Sequence, residues 1–94
     1  MTTINIYQAA NEDQFAMNMM GSLTGIYANV QEMDKVITCQ LPHVNDEQRL
    51  LEGIFLKGND GTLANNLHYS LSVGDVVSIG DHTYRCTPCG WDLE

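Results

Sequence analysis

Cys86-Thr87-Pro88-Cys89 is the one stretch of this sequence whose residue types and spacing suggest chemistry. Two cysteines so placed can form a redox disulfide or supply half of a tetrahedral zinc site. A redox pair needs its first cysteine at a helix N-terminus, where the dipole lowers the thiol pKa. Only Gly90 to Glu94 follow the motif, so no such helix is expected. Zinc needs two further ligands, which Cys39 and His82 could supply beside Cys86 and Cys89, with His43 and His68 as alternates. No second paired motif accompanies the first, as a strong zinc signature requires. The residues also fit a plainer role, with Cys86 and Cys39 as small buried strand residues and Cys89 in a turn shaped by Pro88 and Gly90.

Other chemistries lack their residues. The histidines, His43, His68 and His82, are too scattered to share one helix face. Ser70 and Ser72 lie in Ser-Leu-Ser-Val-Gly-Asp, which is not a hydrolase nucleophile elbow, and no phosphate-binding glycine loop is present. No catalytic or cofactor-binding residue is assigned, and a non-enzymatic chain is expected. Met17 and Met20 offer an adaptable binding surface, while Met19 falls in an apolar stripe. Trp91 reads either as an interface anchor or as packing across a terminal hairpin.

Charge narrows the partners. Twelve acidic side chains face only Lys35, Arg49, Lys57 and Arg85, for a net charge of −8. Such a field repels phosphate backbones, so direct nucleic-acid binding is not expected. The acids come in ones and twos without a run, which suits solubility better than a decoy for a basic nucleic-acid groove. No segment approaches a membrane span, and Met1 to Gln8 lacks the features of a secretion signal. The odd cysteine count argues against a disulfide framework, and the cytosol is the expected compartment.

The elements that must position these residues fit one domain over residues 1–94. Thr2 to Tyr7 reads as a strand. Asn11 caps a helix, with Glu12 and Asp13 in its first turn and Gln14 at the capping-box position. Phe15, Met19 and Leu23 form its apolar stripe, and Gly21 and Gly25 bracket its end. Ile26 to Gln31 and Lys35 to Leu41 alternate as two strands of an expected hairpin, ended by Pro42. Asn45 starts a second helix that presents Leu50, Leu51, Ile54 and Phe55 and stops at Gly58. Asn59 to His68 is a loop. A closing β-hairpin runs from Asp75 to Cys86 around Gly80-Asp81. The expected fold is α+β in the order βαββαββ, a small antiparallel sheet with both helices packed on one face.

The run Tyr69-Ser-Leu-Ser-Val-Gly-Asp-Val-Val, followed by Gly80-Asp81, Tyr84-Arg-Cys and Gly90-Trp91, resembles the C-terminal signature of a family of small actinobacteriophage and mobile-element proteins related to the YodL-like domain. Leu50-Leu-Glu-Gly-Ile-Phe resembles the short helix that precedes it, so about half the chain is covered. Cys89 is not part of that pattern. The resemblance implies a phage or mobile-element accessory protein in the host cytoplasm, without an established enzymatic activity. The expected function is therefore binding to a host protein, with a defence factor as one target class. The alternative is a small-ligand or zinc-binding module using the Cys86 and Cys89 region. A homodimer through a lone edge strand, Thr2 to Tyr7 or Tyr84 to Cys86, is a further expectation.

Overall fold

The computed structural model describes all residues from Met1 to Glu94. The chain forms β1 (Thr2–Gln8), α1 (Glu12–Thr24), a single 3-10 turn (Val30–Glu32), β2 (Asp34–Leu41), α2 (Glu47–Asn59), β3 (Val76–Ile79), β4 (His82–Thr87) and β5 (Gly90–Leu93). The strands make one antiparallel sheet in the order β2-β1-β3-β4-β5. This is the expected α+β class, but the helices do not share a face: α2 packs on Ile4, Ile6 and Val77, whereas α1 packs through Asn18 on Ala28, which covers Val76 and Tyr7 on the opposite face. No helix is long and apolar enough to cross a membrane.

One expected strand and one expected pairing are corrected. Ile26 to Gln31 is not a strand, and the segment carries the 3-10 turn, with Asn29 capping it through its side chain. The β2 strand therefore pairs with β1, not with its neighbour in sequence, placing Ile37 opposite Ile6 and Cys39 opposite Ile4. The alternation in residues 26–31 has another cause, since Ala28 and Val30 pack with Met33 onto Val76 and Tyr7. A fifth strand, Gly90–Leu93, comes after the expected last one. Its addition makes β4 an interior strand, as β1 is, so neither segment named for edge-to-edge dimerisation is an edge.

Both helices start on side-chain caps. Asn11 Oδ1 accepts from the Gln14 N–H at 2.9 Å, while Gln14 Oε1 accepts from the Ala10 N–H at 2.8 Å. Gly25, at φ 74°, closes α1 by donating its N–H to the Gly21 carbonyl. The α2 cap is Asp46, one residue beyond the expected Asn45, and its Oδ1 accepts from the Arg49 N–H at 3.1 Å. Gly58 does not stop α2 but lies within its last turn, where a Cβ would come within 2.5 Å of Leu71.

The core lies between α2 and one face of the sheet. Strand side chains alternate between faces, so Ile4, Ile6, Val77, Ile79 and Tyr84 converge on one side, where Leu51, Leu50 and Ile54 of α2 and Leu71 meet them. Leu51 is fully buried, which stabilises the fold by about 2–3 kcal/mol. The α1 helix buries only Asn18 and Gly21, so the expected stripe of Phe15, Met19 and Leu23 is not a core stripe. Asn18 Oδ1 accepts from the Ala28 N–H at 2.8 Å, Gln14 Nε2 donates to the Glu32 carbonyl at 3.0 Å, and Phe15 meets the Tyr69 ring edge-on at 5.0 Å.

Tyr69 leads into a buried polar knot. Asp75, wholly inaccessible to solvent, accepts from the Tyr69 hydroxyl (2.9 Å), Gln8 Nε2 (3.0 Å) and the Ser72 N–H (2.9 Å). The Tyr69 hydroxyl also accepts from the Ala9 N–H, and Gln8 Oε1 accepts from the His68 N–H. Burial raises the Asp75 pKa to about 6, while its three donors and the positive charge of Arg85 pull the other way. Arg85 is itself buried, donating to Glu94 at 2.6 Å and to the Gly74 carbonyl at 2.9 Å, with its guanidinium over the Tyr27 ring.

Candidate binding groove

The α2 helix is narrower than the sheet face it covers, which leaves an apolar groove on each flank. Toward β2, Ile37, Cys39, Leu41, Ile54, Lys57 and Leu63 border a groove of about 350 Å³. Toward β5, a groove of about 530 Å³ runs between Phe55 and Leu56 of α2 and Trp91 of β5, with Cys86 and Val73 also lining it and Glu52 contributing the charge. That volume falls within the range of sites that take small molecules or peptide side chains.

Local sequence explains this second wall. Thr87 pairs with Gly90, so Pro88 and Cys89 are a two-residue hairpin loop. Proline presets the first turn position, and Gly90, at φ 130°, supplies a conformation that side chains disfavour. The Thr87 hydroxyl donates to the Gly90 carbonyl at 3.0 Å and accepts from the Cys89 N–H. The turn folds Trp91 back beside Cys86, where its ring meets Phe55 edge-on at 6.4 Å. The Cys-Thr-Pro-Cys spacing is thus accounted for by a hairpin: Cys86 is the last core residue of β4, and Cys89 sits in the exposed loop.

The four candidate metal ligands do not converge. Cys39 on β2 and Cys86 on β4 are three strand spacings apart, about 14 Å. His82 and Cys86 lie four residues apart along β4, about 13 Å. Zinc bonds are only about 2.0–2.3 Å long. No group of three or more His, Cys, Asp and Glu side chains comes together as a metal site. Cys39 is exposed, contrary to its expected burial, and all three cysteines are free thiols. Burial, helped by the negative charge of Asp75, pushes the Cys86 thiol up to about 11, which keeps it protonated at neutral pH.

The histidines instead make local pairs. His82 Nδ1 lies 2.8 Å from Glu47 Oε1, which also accepts from the Tyr84 hydroxyl; these two bonds hold the Glu47 pKa below its ordinary value. His68 Nε2 lies 2.9 Å from Asp34 Oδ2 beside a shallow recess lined by Glu12, Phe15 and Tyr69. The His68 pair could move a proton, yet the recess presents no serine, threonine, cysteine or lysine as a nucleophile. The predicted interaction residues are placed apart, with Met17 and Met20 exposed on α1 and Trp91 half-buried in the groove wall. Phe55 and Leu56, which complete the groove, were hidden from sequence reasoning: Phe55 read as core, and Leu56 carried no signal.

Comparison with known proteins places no relative beside this chain: no family model, no curated protein and no solved structure matches it.

Proposed function

We propose that this chain is a non-enzymatic binding module that engages a partner protein through the groove between α2 and β5. The observation that carries the reading is the continuous apolar surface of Phe55, Leu56 and Trp91, with Leu56 67 % exposed although it adjoins the core helix face. Contiguous exposed apolar surface in a concave site is a mark of protein or ligand binding. Met17, Met20 and Leu23 are also exposed, but they lie on α1 and do not line this groove. The resemblance of the C-terminal run supports the setting we propose, a phage or mobile-element accessory protein bound to a host protein in the host cytoplasm.

The test is affinity capture from bacterial lysate with the wild-type chain, Leu56→Glu and Met20→Glu, each checked for an unchanged fold. The expected result is a partner held by the wild type and by Met20→Glu but lost with Leu56→Glu. Recovery of no partner, or of one indifferent to Leu56→Glu, overturns the reading.

A further inference from the structure

The groove toward β5 adjoins an open sheet edge, and the two are aligned. The β5 strand pairs with β4 on one side and with nothing on the other. In an antiparallel pair, alternate residues bond to the neighbour while those between direct their N–H and C=O outward. The Glu94 N–H donates to the Thr83 carbonyl at 2.7 Å, and the register continues through Asp92 with Arg85 and Gly90 with Thr87. Trp91 and Leu93 are therefore the residues whose backbone groups face the open edge. Their side chains lie on the groove face, since Trp91 sits opposite Cys86 and Leu93 opposite Tyr84.

We infer that an extended peptide segment of a partner adds to β5 as a sixth strand, setting alternate apolar side chains into the α2 groove and a lysine or arginine against Glu52. Residues of the added strand opposite Trp91 and Leu93 project onto the groove face, as the pleat requires. Charge complementarity selects the basic flank. Glu52 is the only charged residue lining the groove, and Asp92 and Glu94 lie along the edge. Arg85, the one cation of β4, is already committed to Glu94. The same argument disfavours a second copy, because pairing β5 with β5 would bring together two chains of charge −8 with Asp92 and Glu94 at the seam. The opposite edge is less suitable: β2 carries Lys35 and a register shift opposite Ile6 and Tyr7, devices that discourage added strands, and Lys57 lines its groove.

This inference rests on the binding-module reading and specifies its mode. The probe is a library of random twelve-residue peptides selected on the wild-type chain, with the best binder then followed through Trp91 fluorescence, since Trp91 is the sole tryptophan. The expected consensus alternates apolar residues and carries a lysine or arginine at one flank. Leu93→Pro removes an N–H that the fold itself does not use, so it should keep the urea midpoint while weakening the peptide at least tenfold. Glu52→Lys should weaken it at least fivefold in low salt. An empty selection, binders indifferent to Leu93→Pro, or a wild-type dimer in light scattering that Leu93→Pro dissolves would each overturn the inference. Capture of a Leu56-dependent lysate partner would leave the broader reading standing in any of these cases.

Discussion

The two helices have the same length and similar caps, yet they are attached to the sheet by different physics. The α2 helix is held by apolar burial, with Leu51 fully enclosed among Ile4, Ile6, Val77 and Leu71. The α1 helix is held by two side-chain hydrogen bonds, Asn18 to Ala28 and Gln14 to Glu32, and by the Phe15 ring on a Tyr69 whose hydroxyl is fixed by Asp75. Apolar attachment tolerates imprecise geometry and is indifferent to pH, whereas a buried hydrogen-bonded attachment is directional and titratable. The difference also frees the apolar side chains of α1 to face water.

The contrast is broken most severely at the polar knot. Asp75→Ala leaves the Tyr69, Gln8 and Ser72 donors without their shared acceptor and removes the charge facing Arg85, so we expect a loss of about 4 kcal/mol in urea denaturation. Leu51→Ala attacks the other attachment, and at a fully buried site should cost about 3 kcal/mol with no change in pH dependence.

The pH response separates the two attachments. With the folded carboxyl of Asp75 raised to about 6 from an ordinary 3.8, the folded state holds a proton that the unfolded chain has released. This group's contribution is therefore present below the unfolded pKa and is lost as pH rises through about 6, a decline on the order of 2 kcal/mol. Urea midpoints at pH 4.5 and 7 should show that decline in the wild type and in Leu51→Ala. In Asp75→Asn it should be absent, and an equal decline in that variant would remove Asp75 as the cause. The smallest effect is expected on the free face of α1, where Leu23→Ser should change stability by less than about 0.5 kcal/mol because the side chain is 81 % exposed. A loss of 2 kcal/mol there would mean that α1 is held by its apolar stripe after all.

Sequence reasoning read most reliably where a signal is local. Asn11 with Gln14, Gly25 after α1, and Gly80-Asp81 between β3 and β4 each act through their own backbone, and each lies where expected. It misread features whose meaning depends on distant partners. Period-four spacing of Phe15, Met19 and Leu23 marks one face of a helix but not which face is covered, and alternation in residues 26–31 looks the same in a strand as in a segment packed against Tyr7 and Val76. Gly90–Leu93 is too short to declare itself a strand without the register that Cys86 and Tyr84 impose. The site was legible in fragments. Cys86 and Trp91 were singled out separately, for metal chemistry and for anchoring, and only the Pro88 turn shows that they stand side by side. Asp75 read as a turn former, and nothing near it in sequence announces Gln8 as its partner.

The interior place of β1, between β2 and β3, also shapes how the chain comes to be folded. Ile4 pairs with Ile79 and Ile6 with Val77, so this early strand waits for partners translated near the far end of the chain. Its other neighbour, β2, offers one edge sooner, but the buried face of Ile4 and Ile6 is closed only when α2 and β3 arrive. Such long-range pairing makes folding slow relative to helical domains of this size. Until β3 forms, β1 carries an unmatched edge beside an uncovered apolar face, the combination that makes partly folded chains prone to associate.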